Sequence, residues 1–90
     1  MIDLYLIVVY DVEIERLDRV RMTLKRYLTW VQNSVFEGEI DDSNYASMLA
    51  EVGDIIDKDT DQIIIYRMES ERAFTRRVLG IAMVDLGFVI

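Results

Sequence analysis

Asp11 stands directly after Leu4-Tyr5-Leu6-Ile7-Val8-Val9-Tyr10, an unbroken β-branched and aromatic run. A carboxylate at the point where a buried strand leaves its sheet is held by a rigid scaffold yet reaches solvent. Such a group suits a hard cation like Mg²⁺, which keeps most of its water and takes only one or two protein carboxylates. An ion held there activates water and neutralises charge on a phosphodiester. The same residue fits a second role, because Asp is a favoured N-cap and a helical pattern follows it. Arg16, Arg19, Arg21 and Arg26 come next. Their guanidinium forks suit bidentate phosphate contact beside Asp11; equally, they suit helix-face pairing with Glu13, Glu15 and Asp18. Ser34 offers a hydrogen bond to phosphate or is a plain strand serine. Tyr10 and Phe36 serve either as base-stacking platforms or, the commoner use of buried aromatics, as core and interface.

The remaining chemistry is narrowed by what the chain lacks. Among its 90 residues there is no His, no Cys and no Pro. That excludes disulfides, thiolate nucleophiles, zinc knuckles, Ser-His-Asp catalysis and imidazole metal sites. Carboxylates, hydroxyls, Arg/Lys and a hard metal ion are left. The absence of any apolar run of about 18 residues, together with an N-terminus that has no basic start, points to a soluble cytoplasmic protein. A chain this short buries only about 60–65% of its unfolded surface, which favours oligomerisation.

The net charge is −7, with 17 acids against 10 bases, and by itself that argues against a nucleic-acid partner. Its distribution reverses the inference. Residues 38–61 hold eight acids against Lys58 alone, so the whole surplus lies there. The first helix and the last third are left free to be locally positive, and a phosphate feels the local field. The acids of 38–61 have no calcium-loop spacing and read as helix capping and solvated surface; they also offer a face to a basic partner protein.

The elements that must carry these residues follow from periodicity. Residues 4–10 read as a central strand buried on both faces. Over 14–28, Leu17, Val20, Leu24, Tyr27 and Leu28 form one helical face. Residues 30–40 read as a second strand, with Gly38 allowing a bulge. Asp41-Asp42-Ser43 starts a second helix whose apolar face holds Tyr45, Met48, Leu49, Val52, Ile55 and Ile56. A polar turn over 57–61 leads to a third strand over 62–68, a one-turn connector over 70–77 and a fourth strand over 78–81. The expected fold is therefore α+β: a β-α-β-α-β-β variant of the ferredoxin-like sandwich, one domain over 1–90. An apolar C-terminal strand over 85–90 is expected to add to a partner's sheet, making a two-fold homodimer.

Tyr10-Asp11 after an apolar strand, the Arg-bearing first helix, and Trp30-Val31-Gln32-Asn33-Ser34-Val35-Phe36-Glu37-Gly38 together resemble the CRISPR-associated Cas2 family. The stretch 31–38 is the most specific part, and the likeness runs through nearly the whole chain. The resemblance implies a ferredoxin-like homodimer whose C-terminal strands cross to the partner's sheet. It implies work in CRISPR spacer acquisition, bridging copies of the integrase subunit Cas1 and binding prespacer DNA. It also implies an endonuclease acting on single-stranded RNA or double-stranded DNA, with Mg²⁺ or another divalent cation as cofactor. In that picture Asp11 from both subunits is the catalytic metal ligand at the dimer interface, with Tyr10, Arg19, Ser34 and Phe36 beside it and Arg16 in support. The chain departs from the pattern where Asp18 interrupts the basic run of Arg16 and Arg19, and has Trp30 where some relatives have a basic residue, so no phosphate-binding role is carried onto it.

Three functions compete on these grounds: a metal-dependent phosphodiesterase, a non-catalytic adaptor dimer between integrase and DNA, and a small-molecule-binding regulatory domain of the same architecture.

Overall fold

The computed structural model describes residues 4–80. Strand β1 (Leu4–Asp11) leads into helix α1 (Ile14–Lys25), then β2 (Thr29–Gln32) and β3 (Val35–Ile40). Helix α2 (Asp42–Ile55), strand β4 (Gln62–Met68) and a 3₁₀ turn at Glu71–Ala73 complete it. The sheet runs β2-β3-β1-β4, every neighbouring pair antiparallel. This is the ferredoxin-like α+β fold with the order β-α-β-β-α-β.

The expected order differs at two places. Residues 30–40 form a hairpin rather than one strand: the chain reverses over Asn33 and Ser34, pairing Trp30 with Phe36 and Gln32 with Val35. Asn33 makes the reversal possible by taking a left-handed backbone, φ 38°, which Asn tolerates better than most residues. The hairpin supplies the fourth strand expected at 78–81. Val78, Leu79 and Gly80 carry no strand, while Ile81 and the apolar tail over 85–90 lie outside the described residues. The expected connector turn is present as Glu71–Ala73.

Alternation along β1 decides which side is filled. Leu4, Leu6, Val8 and Tyr10 face the helices and are buried together with Phe36 and Ile40 of β3, Val20 and Leu24 of α1, and Met48 and Val52 of α2. Six of these side chains are under 2% exposed, and each contributes about 1.5–3 kcal/mol by leaving water. The helix start expected at 41–43 is real: Asp41 caps α2 by accepting the Asn44 N–H at 2.7 Å. Across the sheet, Tyr5, Ile7 and Val9 share the other face with Glu37, Val35, Ile64 and Tyr66. One end of that face is covered by the segment after β4, where Phe74 packs 5.5 Å from Tyr5 and Arg76 pairs with buried Glu37. Glu37 also accepts the Tyr5 hydroxyl, so a carboxylate under a folded-back segment keeps two donors.

Candidate metal and nucleic-acid site

Asp11 closes β1 opposite Gln62, on the sheet face away from the helices, and its side chain is exposed. The alternative role as a helix cap is taken by another residue. The N-cap of α1 is Glu13, whose own side chain makes no capping bond. Its N–H instead donates to Asp61 at 2.9 Å, from a turn 48 residues away. Asp61 also accepts the Asp57 N–H at 2.9 Å and the Arg16 Nε at 2.6 Å. With these donors its carboxyl lies well below the usual carboxylate range, chiefly through Arg16 and secondarily through the two backbone N–H groups, against the effect of burial. One fully buried carboxylate thus ties the start of α1, the end of the turn and Arg16 together. Asp61 is the exception to the solvated acidic surface expected of residues 38–61.

The Asp11 carboxylate is left with no hydrogen bond or ion pair to any described residue. No group of three metal-ligating side chains exists among the described residues. A hard, water-rich ion needs only one or two protein carboxylates, and the exposed Asp11 offers one.

Beside Asp11, three of the expected residues come together. The Tyr10 N–H donates to the Ser34 carbonyl at 3.0 Å and its hydroxyl to the Asn33 carbonyl at 3.4 Å. Its ring lies 5.9 Å from that of Phe36. Burial raises the Tyr10 phenol above its ordinary value, and Arg21 and a hydrogen bond with Ser34 oppose the rise. A phenol so placed stays neutral near pH 7 and can position but not deprotonate.

The arginines separate. Arg16 is held by Asp61 and, at 3.1 Å, by Thr60, so the support it gives is to the start of α1. Residues 19 and 21 project on opposite sides of a helix advancing 100° per residue. Arg19 lines a furrow toward α2 with Ile55, whereas Arg21 is the cation that Tyr10 feels. Arg21 lines a groove with Phe36 and Trp30, a placement that follows from how α1 packs on the sheet. Arg26 pairs with Glu51, which also accepts the Tyr27 hydroxyl, locking α1 to α2.

Residues 4–76 match the family model described as CRISPR associated protein Cas2. The chain belongs to the Cas2 family. A curated relative from Methanothermobacter thermautotrophicus, named CRISPR-associated endoribonuclease Cas2, is 43% identical over 90 residues, covering 100% of this chain and 99% of that one. Another from Archaeoglobus fulgidus, CRISPR-associated endoribonuclease Cas2 2, is 48% identical over 77 residues, 86% and 84% of the two chains. A crystal structure of Cas2 superposes with a TM-score of 0.85 at 38% identity, covering 98% of this chain and 99% of the other. The Streptococcus pyogenes Cas2 structure at pH 6.5 gives 0.74 at 30% identity over 84% and 99%. The family drawn from Tyr10-Asp11 and residues 31–38 is therefore the family found. No helix among the described residues is long and apolar enough to cross a membrane.

Proposed function

We propose that this Cas2 protein is a divalent-metal-dependent endonuclease that hydrolyses phosphodiester bonds in RNA or DNA, in the cytoplasm and in the service of CRISPR spacer acquisition. The observation that carries the reading is Asp11: an exposed carboxylate at the end of a rigid strand, relieved of capping duty by Asp61. The endoribonuclease names of the curated relatives support the reaction class. When bound, Mg²⁺ would supply an activated water and charge neutralisation at the scissile phosphate. Asp11 would hold the ion, and the Tyr10-Ser34-Phe36 cluster fixes the strand end that carries it. Arg16 acts through Asp61 by anchoring the first turn of α1.

The working unit is a homodimer. Ile64 and Tyr66 are 37% and 55% exposed on the sheet face that also carries Ile7, Val9 and Val35. A second copy covering this face would bring two Asp11 carboxylates to one ion, within the number Mg²⁺ accepts. The test is cleavage of end-labelled single-stranded RNA and duplex DNA with Mg²⁺ and with EDTA. Wild type should cleave one of them only with metal, and Asp11→Ala should be at least about 100-fold slower, the scale of a lost electrostatic catalytic group. Equal rates for the two proteins would overturn the assignment.

A second reading, the adaptor that meets the CRISPR integrase Cas1, draws on the exposed acids Asp42, Asp54, Asp57 and Asp59 along α2 and its following turn. They form a negative face suited to a basic protein. Asp54→Lys combined with Asp59→Lys should weaken integrase capture at low salt; unchanged capture would dismiss this face.

A further inference from the structure

Outside the Asp11 site, a half-open groove of about 480 Å³ runs between the later turns of α1 and the β2–β3 hairpin. Its lining is Asp18, Arg21, Met22, Lys25, Trp30 and Phe36. Phe36 is only 1% exposed and belongs to the core, whereas Met22 is 70% exposed. Trp30 is half-buried, and its indole N–H donates to the Asn33 carbonyl at 3.0 Å, which fixes the ring. Arg21 and Lys25 make no ion pair among the described residues, so two cations and one carboxylate leave the groove net positive.

A fixed indole, an adaptable thioether and two uncommitted cations are the parts of a single-strand nucleic-acid site. Bases stack on the aromatic face while backbone phosphates meet the cations. A base inside a duplex offers no free face to an indole, because it is already stacked. The floor of the groove joins the core beneath the end of β1, where the Phe36 ring lies 5.9 Å from that of Tyr10.

We infer that Trp30, Met22, Arg21 and Lys25 form a stacking groove that captures one unpaired base and its flanking phosphates, giving the protein a preference for single strands. The inference rests on the nucleic-acid reading above but not on cleavage. Trp30 is the sole tryptophan, so its fluorescence reports this groove alone. The experiment titrates the full-length protein, in EDTA to prevent cleavage, with a decamer of uridylate, a decamer of deoxyuridylate and a duplex of equal length.

Saturable quenching by either single strand, and weaker quenching by the duplex, is the expected result; the two single-strand arms show which sugar is favoured. Trp30→Leu should bind a labelled decamer about 5- to 150-fold more weakly, and Trp30→Phe should recover most of the loss. Arg21→Gln and Lys25→Gln should each lower the slope of log affinity against log salt by about 0.7. No quenching by either single strand, or equal affinity of Trp30→Leu with native circular dichroism, overturns the groove. Wild-type cleavage without quenching would sink only this inference, and quenching without cleavage only the endonuclease reading.

Discussion

Tyr5→Phe removes a single hydroxyl and leaves the rest of its surroundings in place. The ring is 7% exposed and rests 5.5 Å from Phe74, contacts that phenylalanine keeps. What disappears is the donor to Glu37, a carboxylate that is itself 3% exposed and keeps Arg76 as its other partner among the described residues. Burial raises the Tyr5 phenol, against the pull of Arg76, so it donates as a neutral group throughout the physiological range. A hydrogen bond to a charged acceptor is worth ~1.5–3 kcal/mol, and loss of this one should cost about 2 kcal/mol. In a chain of this size that lowers Tm by ~8–16 °C. Urea and thermal unfolding at fixed protomer concentration measure it, and trypsin sensitivity around Arg72 and Arg76 should rise as the covering segment loosens. In a Glu37→Gln background the same substitution should cost at least about 1 kcal/mol less, because the charged acceptor is gone. A change within about 0.5 kcal/mol of wild type, the range of an ordinary surface substitution, would refute the claim that this carboxylate pins the segment.

Asp61 gives a pH signature. Its folded carboxyl lies below the unfolded value of 3.8, so its stabilisation is complete above that value and is lost as pH falls through the lower, folded one. Wild type should therefore lose stability as pH drops below about 4, and Asp61→Asn, already less stable, should show a flatter profile across that window in denaturant titrations. Leu24→Ala, at a position with no exposed surface, should cost about 2–5 kcal/mol in urea unfolding; a loss under 1 would mean the two helices are not packed on the sheet as described. Deleting residues 86–90 should shift the protein from dimer toward monomer or aggregate in light scattering, and an unchanged dimer would refute strand exchange.

Parts of the fold were legible because local chemistry decides them. The apolar run of β1, the Asp41 cap of α2 and the strand Gln62–Met68 follow from period and capping alone. The hairpin did not, since Trp30 to Ile40 keeps strand-forming residues on both sides of the reversal and the turn rests on one left-handed Asn33. Long-range pairing hid the rest. Asp61 lies 45 residues from Arg16 in sequence, and nothing near it distinguishes it from the solvated acids around it. It nonetheless decides two site questions, by capping α1 in place of Asp11 and by holding Arg16. The Arg19–Arg21 difference is similar: both lie on an amphipathic helix, and only its packing sets Arg21 in the groove with Phe36 and Arg19 in the furrow with Ile55.

Direct metal binding tests whether Asp11 holds a divalent ion, without reference to any substrate. Mn²⁺, a hard ion with the same preference for carboxylate and water, can be titrated against wild type and Asp11→Asn while free Mn²⁺ is followed by its paramagnetic resonance signal. One ion per two chains for wild type, and at least about tenfold weaker binding for Asp11→Asn, is the predicted result. Equal binding by the two proteins, each with native circular dichroism, would contradict it.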